Sequence, residues 1–171
     1  MGVGIDSLKL KKRSEKLAFM EIKTGSSSSY CRLEGFTTQT HNANATEYSR
    51  RYVDEDTERT DVTGYSESIN YNFDHYLHQP ALEEIVKITE NELTGTDAVR
   101  NILLVDMTSN SGSSDAQYTA TMRPYAIVPS SNGDTTDCMT YSGDFKSRGT
   151  KKTVKVTLDS DRENATIVSG E

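Results

Sequence analysis

The chain has little of what secreted scaffolds, membrane proteins and nucleic-acid binders require. Its 171 residues include two cysteines, Cys31 and Cys138. They lie far apart, with no second pair of the kind that staples a secreted domain, so both read as small thiols, buried or half-buried. No apolar run approaches the roughly 20 residues needed to cross a bilayer. The first sixteen residues, MGVGIDSLKLKKRSEK, hold no apolar secretory core, and Asp6 stands where a myristoylation signal needs Ser or Thr. The expectation is a soluble protein made in a cytoplasm, with no membrane partner. Lys and Arg number 19 against 26 Asp and Glu, for a net charge of −7 and a pI near 5.0. A phosphate-neutralising surface needs the opposite balance, so DNA should be repelled. Hydrophobic residues make up 33% and mean hydropathy is −0.67. The length suits one domain with a thin core to which neighbours contribute.

A catalytic or metal-binding constellation is missing too. Asp74, His75 and His78 have imidazoles three apart, but no third His or Cys stands nearby in sequence. Asp159, Asp161 and Asn164 begin like a calcium loop, yet Asn164 occupies the place of the turn glycine and Gly170 that of the bidentate Glu, so a solvated turn is expected. Cys138 with His41, His75 or His78 as base has nothing beyond residue type to support it. Gly2 and Gly4 follow no strand and have no phosphate-loop spacing. These observations predict no enzyme, no metal and no cofactor.

Alternation is what the chain does have. In residues 62–76, VTGYSESINYNFDHY, the odd positions from Tyr65 to Phe73 are mostly large and apolar, while the even positions from Gly64 to Asp74 are small or polar. That period of two marks a strand with one buried and one wet face. Ser66, Ser68, Asn70 and Asn72 hydrogen-bond water but offer nothing that grips a ligand, so the wet face reads as a lining.

Other elements follow from pattern. A basic cluster, Lys9, Lys11, Lys12, Arg13 and Lys16, precedes an apolar segment at 17–22 and reads as a mobile or docking arm. Residues 30–36 read as a strand with Tyr30, Arg32, Glu34 and Phe36 on one face. Residues 37–60 hold almost no aliphatics, and so long a segment inside one domain is functional, disordered or an extended hairpin that protrudes. Its mixed charge, Arg50, Arg51 and Arg59 against Asp54, Glu55, Asp56 and Glu58, suits docking on another copy. A helix is predicted over 80–93: Pro80 opens it, Glu83 and Glu84 lie near its positive end, Leu82, Ile85, Val86 and Leu93 form its stripe, and Gly95 caps it. Residues 102–105, ILLV, suit a strand buried on both faces. The stretch 108–117 reads as a surface connection. A strand over 118–128 carries Pro124, which argues for an edge or bulge, and Asn132-Gly133 marks a tight hairpin turn. Alternating strands follow at 138–145 and 154–159, and a short one at 165–168.

The phrases VTGYSESINYNFDHYLHQPALEEIVKITENELTGTDAVRNILLVDM, YTATMRPYAIVPSSNGD and DCMTYSGDFKSRGTKKTVKVTLD, in this order, resemble the major tail tube proteins of tailed phages and prophage particles of Gram-positive hosts. The resemblance spans about residues 17–168 and rests on element order and whole phrases. It implies a mainly β fold, a β-sandwich or half-barrel flanked by one α-helix, with 1–16 as an arm and 169–171 as a tail. It further implies homohexameric rings whose inner strands join into a continuous barrel, stacked into a tube through the 37–60 loop and the terminal arms. The setting would be the virion tail. Partners would be the tape measure protein, the tail terminator, baseplate or distal tail proteins, and a sheath protein if the tail contracts. Genomic DNA would pass through the lumen unbound.

On alternation, Ser66, Ser68, Asn70, Asp74 and Asp144 are the expected lumen-facing positions. Tyr48, Arg50, Arg51, Tyr52, Asp54, Glu55 and Asp56 are the expected inter-ring contacts. Three other readings compete: a tail terminator or head-tail connector that makes a single ring, the tube of a phage-tail-like particle, and an enzyme built on Asp74, His75 and His78.

Overall fold

The computed structural model describes residues 8–110, 117–133 and 136–170. Gly2, Gly4 and part of the 108–117 connection therefore lie outside the described residues. Eleven strands and one helix are found among those described: β1 Lys16–Thr24, β2 Ser27–Arg32, β3 Phe36–Asn42, β4 Ala45–Arg50, β5 Arg59–Tyr65, β6 Ser68–Asp74, α1 Pro80–Glu90, β7 Val99–Asp106, β8 Tyr118–Asn132, β9 Thr140–Ser147, β10 Lys152–Leu158 and β11 Asn164–Gly170. Every pairing is antiparallel.

The main sheet runs β10-β11-β2-β1-β7-β8-β9-β6-β3, and a further β10–β8 pairing closes its first six strands into a barrel. β8 makes this possible by changing partner along its length. Its start, from Tyr118 to Met122, pairs β10; its later part, from Tyr125 to Asn132, pairs β9. Pro124 falls at the switch, where a missing N–H breaks no ladder with either of those neighbours, and its carbonyl accepts from the Arg148 N–H. The proline that signals an edge or bulge in the sequence thus marks where the barrel hands the strand to the second sheet.

Two cores result. Leu17, Phe19, Leu103, Val105, Ala120, Val154, Val156 and Ala165 fill the barrel. A larger cluster joins Ala18, Met20, Ile102 and Leu104 from the outer faces of β1 and β7 to Ile69, Tyr71, Phe73, Tyr141 and Phe145 of the second sheet, with Ala81, Leu82, Ile85 and Ile88 of α1. β1 and β7 are buried on both faces because each has the barrel on one side and the second core on the other. Each fully buried Phe or Leu contributes about 1.5–3 kcal/mol from water exclusion. The core supported by a 33% hydrophobic chain is thus concentrated in two narrow layers.

Several boundaries differ from expectation. The strand preceding residue 30 starts earlier than expected: Gly25, at φ 62, turns β1 directly into β2, and Thr24 pairs Ser27. The strand expected over 30–36 is two, ending at Arg32 and resuming at Phe36. α1 ends at Glu90 and not at 93, because Asn91 caps Lys87 O through its own N–H and side chain and Glu92 turns left-handed. Gly95 instead opens a separate 3-10 turn, Gly95–Ala98. β8 runs on to Asn132 and β9 starts at Thr140, so Asn132-Gly133 leads into a longer connection and not a two-residue turn. Cys138 precedes β9 and is exposed, whereas Cys31 is buried.

Candidate functional site

The second sheet, β3-β6-β9 with the end of β8, presents a wet face opposite α1. In β6 the burial alternates strictly: Ile69, Tyr71 and Phe73 are buried, and Ser68, Asn70, Asn72 and Asp74 point away from them. Register carries this across the sheet. Asn42, Thr40 and Thr38 of β3 lie beside Ser68, Asn70 and Asn72; Lys146, Asp144, Ser142 and Thr140 of β9 flank Ser68, Asn70, Asn72 and Asp74. The face is therefore mostly hydroxyl and amide, with the acids Asp74 and Asp144 and the amine Lys146 among them.

It is also internally bonded. Asn42 Nδ2 donates to Asn70 Oδ1, and Asn70 Nδ2 donates to Asp144 Oδ1. The Ser131 and Ser142 hydroxyls meet at 2.7 Å, and Lys146 Nζ lies 4.0 Å from Asp144 Oδ2. Groups that bond one another across strands satisfy part of each other's hydrogen-bonding capacity. Underneath, Tyr71 stacks on Phe145 at 4.5 Å and Phe73 on Tyr141 at 5.6 Å. Gly143 stands opposite Tyr71, and a Cβ there would come within 2.6 Å of Tyr71 Oη. Glycine at this point lets the ring lie flat under the face. Burial pushes the Tyr71 hydroxyl well above its usual range.

Of the expected lining residues, the structure brings Ser68, Asn70, Asp74 and Asp144 onto this one face. Ser66 sits outside β6, in the connection from β5, where its N–H donates to Asn44 O. Sequence reasoning missed β3: Thr38, Thr40 and Asn42 belong to the same face. Residues 37–42 read as loop because they lack aliphatics, but β-branched threonines suit a strand whose one side is wet and whose other holds Phe36, Gln39 and His41.

The projecting element is therefore shorter than 37–60 and set further along. β4 and β5 form a separate two-stranded hairpin, joined to the body through residues 43–44 and 66–67 and exposed over nearly its whole length. Tyr48, Arg50, Arg51, Tyr52 and Asp54 are exposed and Glu55 is half-buried in the turn; Asp56 is exposed. Arg50 and Arg59 stand directly opposite each other. Their repulsion is offset locally: Arg59 pairs Glu55, while Arg50 reaches Tyr48 Oη at 3.1 Å and lies 5.8 Å over the Tyr52 ring. At the root, Asn44 Nδ2 donates to Ser66 O and Ser68 Oγ, each at 3.0 Å. Beside the root, Arg123 pairs Glu67 at 2.8 Å and His41 Nδ1 lies 3.8 Å from Glu67. Desolvation, then the nearby Lys16 and Arg13, hold the His41 imidazole below its usual range despite Glu67.

The remaining candidates are apart. His41 sits beside Ile69 at one end of β6, and His75 follows the other end. His75 packs edge-on against Tyr141 at 5.6 Å, and His78 adopts φ 65. The Asp159 carboxylate is occupied by the N–H groups of Glu163 and Asn164 and by Asn164 Nδ2. Among the described residues, no group of three or more His, Cys, Asp or Glu side chains is placed to hold a metal ion, and no helix is long and apolar enough to cross a membrane.

The chain is mainly β, with a six-stranded barrel, an appended sheet and one helix, and it shares its fold with chains of two solved six-fold assemblies. One similar solved structure is the tail of an empty GTA particle with C6 symmetry: TM-score 0.57 and 12% identity, over 83% of this chain and 97% of that one. Another is the six-fold symmetrised baseplate of the anti-feeding prophage: TM-score 0.51 and 9% identity, over 86% of this chain and 97% of that one. At these identities the shared property is the fold. No family model matches the sequence, and no curated protein matches it.

Proposed function

We propose that this chain is a virion structural protein, the major tail tube subunit of a phage, which assembles as homohexameric rings stacked into a tube that conducts DNA. The observation that carries the reading is the second sheet: a smooth hydroxyl and amide face bounded by two open edges. β3 has a neighbour on one side only. β8 leaves β7 at Ala126 and continues to Asn132 with β9 alone. A sheet with two free edges is an aggregation hazard unless copies join edge to edge and close. Six such sheets, each presenting its wet face inward, make a continuous lining. The net charge of −7 per copy keeps DNA hydrated and off the wall. The fold shared with the C6 tail of the GTA particle supports the same ring order. No step of this role requires catalysis, a cofactor or a metal.

Stacking is assigned to the β4–β5 hairpin. A two-stranded hairpin without a packed face is marginal in water, and here Tyr48, Tyr52, Val53 and Val62 are all exposed on it. Contact with an adjacent ring covers them. The test replaces residues 45–65 with a short Gly-Ser link between Asn44 and Ser66. Full-length purified chain is expected to give rods of repeating six-fold rings in negative stain, and the variant to stay folded while giving no rods. Rods from the variant refute the stacking role; a full-length chain that stays monomeric at high concentration refutes the tube.

A further inference from the structure

The β4–β5 hairpin pairs with no strand of the body, so its direction is set by the two links at its root. One link, residues 43–44, follows His41 at the end of β3. The other, residues 66–67, ends in Glu67 just before β6. These two residues meet: His41 Nδ1 lies 3.8 Å from Glu67 Oε1. Glu67 is fastened to the body by β8 and β9. Arg123 Nη1 donates to its Oε2 at 2.8 Å, the Ser147 N–H donates to its carbonyl at 2.9 Å, and its carboxylate acts on the buried Tyr125 hydroxyl. The Glu67 and Arg123 side chains are 16% and 15% exposed, so the two form a nearly dry clamp beneath the hairpin.

Beside the clamp lies a cavity of about 440 Å³ lined by His41, Ala43, Tyr65, Glu67, Arg123 and Lys151. It touches both links, because Ala43 belongs to one and Tyr65 adjoins the other. Its charge is lopsided. Among the described residues Glu67 is the one carboxylate lining it, and Arg123 already holds that group; Arg123 and Lys151 from the cavity wall, with Arg13 and Lys16 from the start of β1, surround the imidazole with positive charge. Arg123 Nε is buried without an acceptor, so donors exceed acceptors even before His41 takes up a proton. A neutral imidazole suits this place. An imidazolium does not: burial, Lys16 and Arg13 outweigh the attraction of Glu67 and hold the group below its ordinary 6.5. The cavity gives the charged ring room to leave. His75 and His78 lie beyond the other end of β6 and take no part.

We propose that His41 is a pH latch on the hairpin. Neutral, it stays beside Glu67, and the two links hold the hairpin in one direction. Protonated, it moves into the cavity, the 43–44 link follows, and the hairpin loses that direction, so that stacking is confined to neutral and higher pH. The latch rests on the stacking role given to the hairpin above and adds its regulation. One imidazole of ordinary value 6.5, kept neutral in the latched form, changes the balance between latched and released forms by up to about tenfold between pH 7.5 and pH 5.5.

The test follows rods and hairpin direction at those two pH values. Full-length chain is expected to leave at least about threefold more unassembled protein beside its rods at pH 5.5 than at pH 7.5, and His41→Gln to leave equal amounts at both. Spin labels on Val53→Cys and Thr153→Cys, with Cys138→Ser and the buried Cys31 kept, report the distance from hairpin tip to barrel in the unassembled chain. Its distribution is expected to broaden at the lower pH, to narrow on return, and to stay narrow in His41→Gln. Equal assembly at both pH values, a pH response that survives His41→Gln, or an unchanged distance distribution each overturns the latch and leaves the stacking role standing. If His41→Gln does not fold, Lys16→Gln decides: with one repelling charge gone the response shrinks, and an unchanged response refutes the proposal. Chain that forms no rods at either pH refutes the tube reading, and the distance measurement then judges the latch alone.

Discussion

Replacing Arg100 with Met should cost this protein a large part of its stability, and replacing Glu84 with Leu in the same chain should return most of it. Glu84 on α1 and Arg100 on β7 are 6% and 4% exposed. Arg100 Nε and Nη2 both donate to Glu84 Oε1, at 2.9 and 2.5 Å, and Nη1 donates to the carbonyls of Asp97 and Val99 at 2.9 and 2.7 Å. Met in place of Arg100 leaves a buried carboxylate without a partner, which costs about 3–5 kcal/mol. Against a total of roughly 5–15 kcal/mol, that lowers Tm by about 6–20 °C. Removing both charges eliminates the orphan, so the double variant should lie within about 1–2 kcal/mol of the parent, the residue being two carbonyls that lost a donor. Urea unfolding of the four proteins of the cycle, at a concentration where the chain is monomeric, measures this. A single variant costing under about 1 kcal/mol, or a double variant as unstable as the sum of the singles, refutes the claim that this pair locks the helix to the barrel.

Gly143→Ala drives a methyl group into Tyr71 Oη and Val128 O; overpacking of that kind costs about 1–3 kcal/mol, and Gly143→Ala with Tyr71→Phe should recover part of it in thermal melts, whereas no recovery would mean that Val128 O dominates. Stability should fall as pH drops below 6.5, because the folded chain holds the His41 imidazole below that value while the unfolded chain takes up its proton there; His41→Gln should flatten this part of the profile, and an unchanged slope would refute the assignment. The contact of Lys11 with Asp106 should act in a lower window. Lys11 and Thr108 hold Asp106 at about 2 against 3.8, so its contribution is present above 3.8 and lost between 3.8 and about 2, and Lys11→Met should shrink that step in acid titration, leaving the part that the Thr108 hydroxyl and N–H supply.

The two-faced second sheet was largely legible because its signal is local. Alternate residues of a strand face opposite ways whatever surrounds it, so Ile69, Tyr71 and Phe73 declared the buried side and Ser68, Asn70 and Asp74 the wet one. β3 escaped notice because an edge strand with one wet side needs few aliphatics, and only its pairing with β6 reveals it. Glu84 escaped for the same reason: it read as a charge near a helix start, and only the folded chain brings Arg100 against it.

By itself the sequence determined strand periodicity, the helix start at Pro80, the acidic balance and the double burial of residues 102–105, all properties of neighbours along the chain. Tertiary structure alone decided that β8 is shared between a barrel and a sheet, that His41, Glu67 and Arg123 meet at the hairpin root, and that the hairpin stands clear of the body. Those are contacts between residues distant in sequence, and chain connectivity leaves many such pairings open until burial of both cores selects one.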